Sequence, residues 1–151
     1  MAGAHRSCLH APILFGFAVD VEPKIGGALR LLAPDGHVHV RGQIVDWDPP
    51  RRFISTWVVE GMQGYSELPE CLVGYEIEQS GEAVRLTMIE SHSWDVPEAI
   101  LKGGQTGWPK ILSSLKSVLE TGNPVAMKME GPPPGMTEAV QKALAEKPWL
   151  K

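Results

Sequence analysis

The chain has 151 residues, of which 43% are hydrophobic and 21% charged, and its formal net charge is −4. These values are typical of a globular domain with a buried core, and they exclude global disorder. The sequence holds neither a basic stripe for nucleic acid nor an apolar run approaching the ~20 residues of a membrane span. Cys8 and Cys71 are far apart in sequence, and we expect free thiols in a reducing cytoplasm.

The pattern of strands becomes clear from Gly27 onward, after 26 residues without a clear period. Ala28–Leu32 is a short apolar strand, and Pro34-Asp35-Gly36 has the composition of a turn. The next strand alternates, with a buried face of Val38, Val40, Gly42 and Ile44 and a polar outer face of His39, Arg41 and Gln43. Three further strands are predicted at Arg52–Val59, Leu72–Glu78 and Ala83–Ser91. Short connections between strands favour an antiparallel meander.

The clearest single element is a helix from Trp108 to Thr121. Its apolar positions repeat every 3.6 residues, at Trp108, Ile111, Leu112, Leu115, Val118 and Leu119. We expect Thr106 to cap this helix and Pro109 to lie in its first turn, so that Gly103-Gly104 precede it as a hinge or cap region. Gly122 suits the left-handed residue that ends a helix.

The C-terminal residues follow a stiff segment, Pro132-Pro133-Pro134-Gly135. Thr137 is expected to cap a short helix that reaches about Glu146. Trp149 then docks back on the domain or on a second subunit, and the sequence leaves both alternatives open.

Two separated motifs resemble a known superfamily. They are Asp48-Pro49-Pro50-Arg51-Arg52-Phe53 with Thr56-Trp57, and the run from Gly107 to Lys116 with Leu119-Glu120-Thr121-Gly122. The chain resembles the SRPBCC superfamily, and more narrowly the bacterial homologues of the C-terminal domain of the activator of the heat-shock protein 90 ATPase. The resemblance implies an α+β helix-grip fold, in which a curved antiparallel sheet packs on a long C-terminal helix and encloses a cavity. Membership implies a cavity rather than a reaction.

The resemblance also implies a division of the chain. Residues 15–122 correspond to the SRPBCC-like domain, residues 1–14 stay unassigned, and residues 123–151 form the Pro-rich linker and short helix. In the family a first strand and two short helices precede the equivalent of Phe15, and residues 1–14 are too few for them. We therefore expect an open sheet edge, which a second copy of the chain would complete as a homodimer.

The candidate ligand-binding residues lie on the inferred inner faces. They are Trp57, Tyr75, Met88, Glu90, Trp108, Leu112 and Leu115. The aromatic members suit a flat apolar ligand, although each alone is equally consistent with ordinary core packing. Glu90 would be a general acid or base, or an anchor for a ligand's polar end, or a rim residue that meets water, and we favour the rim.

The sequence favours no catalytic constellation, cofactor or metal site. His37 and His39 are two residues apart, but their face is the polar outer one and no further ligand accompanies them by spacing. We therefore expect a domain that binds a small apolar molecule without catalysis. The alternatives are a co-chaperone-like module acting on a heat-shock protein 90 type ATPase, and a polyketide cyclase-like enzyme using Glu90, Tyr75 or His92.

Overall fold

The computed structural model describes residues 7–10, 16–128 and 130–151. In these residues seven strands form one antiparallel sheet in sequence order. The strands are β1 (Ser7–His10), β2 (Ala18–Val21), β3 (Ala28–Leu32), β4 (Val38–Asp48), β5 (Arg52–Val59), β6 (Cys71–Ser80) and β7 (Ala83–Ser91). The helices are α1 (Glu98–Thr121) and α2 (Met136–Glu146), with single 3-10 turns at Tyr65–Glu67 and Pro148–Leu150. Neither α-helix is long and apolar enough to cross a membrane.

The sheet confirms the predicted α+β meander, with β3, β5 and β7 at the predicted bounds. β1 lies in the segment that the sequence analysis left unassigned, and it pairs with β2 where we expected an open edge. Four residues carry too little alternation to be recognised as a strand. The side chains of Cys8 and His10, and all of His5, lie outside the described residues.

Strand register places the inner-face residues in rows across the sheet. Ile44 pairs with Ser55, Ser55 with Val73, and Val73 with Glu90. Successive residues of a strand point to opposite faces, so these four side chains share one face. The first three are at most 1% exposed, which places the centre of the core on this row.

The predicted start of the long helix is wrong. α1 begins at Glu98, ten residues before Trp108, and Pro109 lies inside it. Thr106 is not the cap, because its hydroxyl donates to the carbonyl of Lys102 within the helix (2.8 Å). Glycine and proline both disfavour helix interiors, so the sequence around Gly103 reads as a boundary, and tertiary contacts override that preference. The predicted end is confirmed, since Gly122 has a φ of 80° and its N–H donates to the Val118 carbonyl.

The buried face of α1 also differs from the predicted stripe. Ile100 and Ser114 are its buried residues, whereas Leu119 is 76% exposed. Glycines mark the points of closest approach. A Cβ at Gly103 would lie 2.9 Å from Cε of Met136, and one at Gly104 would lie 2.9 Å from Oε2 of Glu90.

The C-terminal helix α2 packs on the rest of the domain. Val140 and Ala143 are buried in a cluster with Leu68 and Ile100. Beyond α2, Trp149 packs edge-on against Trp94, with ring centroids 5.2 Å apart. Of the two alternatives left open for Trp149, the structure shows docking on its own domain.

Candidate functional site

A pocket of about 700 Å³ lies between the sheet and the first half of α1. Its walls come from β3 to β5, the loop between β5 and β6, the adjacent ends of β6 and β7, and residues 128, 130–134 and 136. The wall is mainly apolar, and its aromatic members are Phe17, Trp57, Tyr65, Trp94 and Trp108. The rings of Trp57 and Trp108 face each other across the sheet–helix gap, with centroids 5.3 Å apart.

The structure brings together only part of the predicted set of ligand-binding residues. Trp57, Glu90 and Trp108 line the pocket. The other four lie away from its wall; they are Tyr75, Met88, Leu112 and Leu115.

Tyr75 shows how those four residues are placed. It pairs with Met88 across β6 and β7, stacks on Phe53 at 4.8 Å, and meets Trp108 edge-on at 6.3 Å. Burial raises the pKa of its hydroxyl. Because α1 begins ten residues early, its first half covers the end of the sheet that holds the pocket, and these residues lie farther along.

Glu90 lines the pocket and is partly exposed. Its side chain is 25% exposed. Its Oε2 accepts a hydrogen bond from Nε1 of Trp108 (2.7 Å), and its Oε1 lies 2.8 Å from Nε2 of His92. The carboxylate keeps some contact with water, as a rim residue would, while α1 approaches it closely where Gly104 has no side chain.

Cys71 joins the same cluster from the neighbouring strand. It pairs with Trp57 on β5, and its Sγ lies 3.6 Å from the Trp57 carbonyl oxygen. Burial raises the pKa of the Cys71 thiol to about 12, and the charge of Glu90 adds to the effect. The group is therefore a neutral thiol near pH 7 and a weak nucleophile. Burial, with the same carboxylate, also raises the pKa of the Tyr65 hydroxyl.

His39 is not the outward-facing residue that the strand pattern predicted. Its ring stacks on Phe17 at 4.6 Å and lines the pocket. Burial lowers its pKa, with a smaller contribution from the charge of His37. His37 is exposed, as expected, and is paired with Asp35 in the turn. The two histidines differ because the side chain at position 39 is covered by Phe17 from the segment before β2.

Two polar pocket residues, Cys71 and Tyr65, were missed, and His92 was named only for the cyclase-like alternative. The strand register carries a signal for Cys71 and His92. Leu72 pairs with Ser91, so Cys71 and His92 flank that pair on the same side. The sequence alone lacks this register, because the long loop between β5 and β6 leaves the alignment of β6 undetermined. Tyr65 comes from that loop and has no periodic signal.

An antiparallel sheet that packs on a long C-terminal helix, with a pocket between them, defines a helix-grip domain of the SRPBCC type. The family model described as Activator of Hsp90 ATPase homolog 1-like protein matches residues 14–120. The chain belongs to this family, which confirms the resemblance found in its sequence motifs.

Solved structures share the fold. CalU16 from Micromonospora echinospora has a TM-score of 0.58 at 21% identity, over 92% of this chain and 71% of that one. Protein MLL2253 from Mesorhizobium loti has a TM-score of 0.55 at 19% identity, over 66% and 71% of the two chains. An HSP90 activator from Plasmodium falciparum has a TM-score of 0.51 at 18% identity, over 75% and 79%. At these identities the likeness shows the fold alone. Comparison with curated proteins found no match.

Proposed function

We propose that this protein binds a small, largely apolar molecule between the sheet and α1. The observation that carries the proposal is the pocket of about 700 Å³, whose wall is mainly apolar, with a polar cluster around Glu90 and further charged residues that include Lys110 and Glu130. That volume lies within the range of sites for small molecules, which are lined mainly by apolar side chains with a few polar groups.

The polar cluster suggests how such a molecule would be oriented. Glu90 and His92 lie on one wall, close to the paired rings of Trp57 and Trp108. A flat molecule would pack against the indoles, and its hydrogen-bond donor would reach the Glu90 carboxylate. The class we favour is therefore an aromatic or polycyclic molecule with one polar end.

The experiment uses N-phenyl-1-naphthylamine, a flat neutral fluorophore with a single N–H donor. Gly107 lines the pocket on α1, and a Cβ built there meets no atom within 4 Å. Gly107→Leu therefore adds an apolar side chain beside the cavity without a clash. We expect saturable binding to the natural sequence and at least about tenfold weaker binding to Gly107→Leu, because displacing one buried apolar contact costs more than ~1.4 kcal/mol.

The matched control is Ser113→Leu, which places the same side chain on the exposed surface of the same helix. We expect it to bind the probe as the natural sequence does. Equal binding by Gly107→Leu and Ser113→Leu, with both variants folded by circular dichroism, would place the probe on the surface and contradict the proposal.

A second candidate function is a co-chaperone-like module, and the family match over residues 14–120 favours it. Such a module would act through its surface and would not need the pocket. The test is stimulation of a heat-shock protein 90 type ATPase by the purified chain. Stimulation that Gly107→Leu leaves unchanged would support the surface role, and lack of stimulation at high concentration would remove it.

A further inference from the structure

Three side chains of different chemistry converge on the pocket wall where β6 and β7 meet. One ligand atom from each of Cys71, Glu90 and His92 lies within 4.8 Å of the others. The strand register explains the convergence. Glu90 and His92 are two residues apart and share a face, and Cys71 lies across from them, next to the Leu72–Ser91 pair. Cross-strand neighbours on one face are close enough for their side chains to touch.

We propose that Cys71, Glu90 and His92 form a binding site for a divalent transition metal ion, with Zn²⁺ as the best match. Coordination would release the proton of the Cys71 thiol to solvent. The resulting thiolate, with an imidazole, selects Zn²⁺ over the hard cations Mg²⁺ and Ca²⁺, which prefer oxygen ligands. One cysteine, one histidine and one carboxylate are each common zinc ligands. No metal site was expected from the sequence, because no third metal-binding side chain accompanies His37 and His39 by spacing.

The spacing of the three ligand atoms suits one ion. Zinc bonds of about 2.0 to 2.3 Å in a tetrahedral arrangement require ligand atoms roughly 3.3 to 3.8 Å apart. The separations here are at most 4.8 Å, and His92 Nε2 lies 2.8 Å from Glu90 Oε1. Small rotations of side-chain ends would therefore bring all three atoms to bonding distance without a change in the backbone. The ion would replace the direct contact between Glu90 and His92.

The surroundings of Glu90 provide the support that metal ligands usually have. Trp108 donates its indole N–H to Oε2 of Glu90, which leaves Oε1 directed toward His92. Hydrogen bonds of this kind to the outer atoms of a ligand fix its orientation. The absence of a side chain at Gly104 leaves room for the carboxylate beside α1, because a Cβ there would lie 2.9 Å from Oε2.

Three protein ligands leave a fourth position on a tetrahedral ion, as in zinc sites that bind a water or a substrate. All three side chains line the pocket, so that position would face its interior. An oxygen or nitrogen of a bound molecule would then reach the ion. The metal site stands on its own geometry and does not depend on whether the pocket takes an apolar molecule.

The test is a titration of the purified full chain with Co²⁺, which reports its ligands by absorption. We expect one equivalent of Co²⁺ to give a visible tetrahedral spectrum and a near-ultraviolet thiolate band, both removed by Zn²⁺. Cys71→Ser should abolish the thiolate band, and His92→Gln should weaken binding strongly. Trp108→Phe removes the hydrogen bond to Glu90 and keeps an aromatic ring at this position, and it should weaken binding by about tenfold.

Matched controls separate this site from the other thiols and imidazoles. Cys8→Ser changes the other cysteine of the chain, and His37→Gln changes an exposed histidine. Both controls should keep the full spectrum. A thiolate band that survives in Cys71→Ser, or the absence of any stoichiometric cobalt spectrum in the natural sequence, overturns the proposal.

A measurement on the unaltered chain covers the case in which Cys71→Ser does not fold. X-ray absorption of the zinc-loaded protein should show one sulfur at about 2.3 Å and the remaining ligands, nitrogen or oxygen, near 2.0 to 2.2 Å. Zinc surrounded by oxygen and nitrogen alone contradicts the site. Failure here is distinct from failure of the proposed function, because Co²⁺ binding is measured without N-phenyl-1-naphthylamine and binding of that probe is measured on metal-free protein.

Discussion

At both ends of the sheet's inner face the side chains alternate between the two faces of each strand, but the two ends differ in burial. At the covered end, Ser55 and Val73 are fully buried beneath the helices. At the open end, Ile77 is 43% exposed and Val84 is 62% exposed, and Leu119 near the end of α1 is 76% exposed. Alternation identifies the face of a strand, but coverage depends on where the helices lie, and α2 packs beside the beginning of α1 and the loop that holds Leu68.

The polar cluster lies at the covered end. Glu90 and His92 are 25% and 20% exposed, and Trp108 supplies the hydrogen bond to the carboxylate. Polar interactions are stronger where water is partly excluded, and a bound molecule there gains more from each contact. The covered end therefore holds both the centre of the core and the candidate site. The open end has exposed apolar side chains, Ile77 and Val84.

The largest expected difference between the two ends concerns isoleucines on the same face. Ile44 is 1% exposed, so Ile44→Ala should lower the free energy of unfolding by about 3 kcal/mol. Ile77→Ala, at the open end, should lower it by less than about 1 kcal/mol. Urea denaturation of both variants measures this, and equal losses would show that the open end is covered in solution.

The next effect concerns the hydrogen bond at the candidate site. Trp108→Phe removes the donor to Glu90, and we expect the free energy of unfolding to fall by about 2 kcal/mol, since hydrogen bonds to charged groups contribute more than neutral ones. The control is Trp47→Phe, because Trp47 contacts Phe53 away from the pocket. A loss no larger than that of the control would mean that the carboxylate does not depend on the indole.

A substitution at the buried face of α1 is expected to increase the free energy of unfolding. The hydroxyl of Ser114 is buried and has no hydrogen-bond partner among the described residues. Ser114→Ala should raise the free energy of unfolding by about 1 kcal/mol, through helix propensity and removal of the unpaired group. Ser113→Ala, on the exposed side, isolates the propensity effect, for which about 0.5 kcal/mol is expected. A destabilised Ser114→Ala would indicate a bonded hydroxyl.

The smallest effect is a dependence on pH. The pKa of His39 is lowered by burial, so the unfolded chain binds a proton more readily than the folded one. Its contribution to stability is present above the unfolded pKa of about 6.5 and is lost as the pH falls through the folded value. His39→Gln should therefore lose less stability between pH 7 and pH 5 than the natural sequence, and the exposed control His37→Gln should not. Thermal melts across that range provide the comparison, and identical slopes for His39→Gln and the natural sequence would contradict the burial of His39.

The sequence predicted the strands β3, β5 and β7 and the end of α1 because each has a local signal, such as alternation or Gly122. It did not predict that α1 begins at Glu98, since Gly103 and Pro109 are unfavourable locally and are tolerated through packing. Trp57, Glu90 and Trp108 were found from their faces alone. Cys71, and its position beside His92, were not predicted, because a pairing between strands is a property of the assembled sheet.

The most direct test of the central claim uses the five tryptophan indoles in a ¹H–¹⁵N spectrum, assigned by single Trp→Phe variants, during titration with N-phenyl-1-naphthylamine. Trp57 and Trp108 line the pocket, whereas Trp47 does not. We expect the first two signals to shift and saturate together at one equivalent, with Trp47 unchanged. Shifts of Trp47 as large as those of Trp57, or no saturable shift of Trp57 and Trp108, would contradict a binding pocket between the sheet and α1.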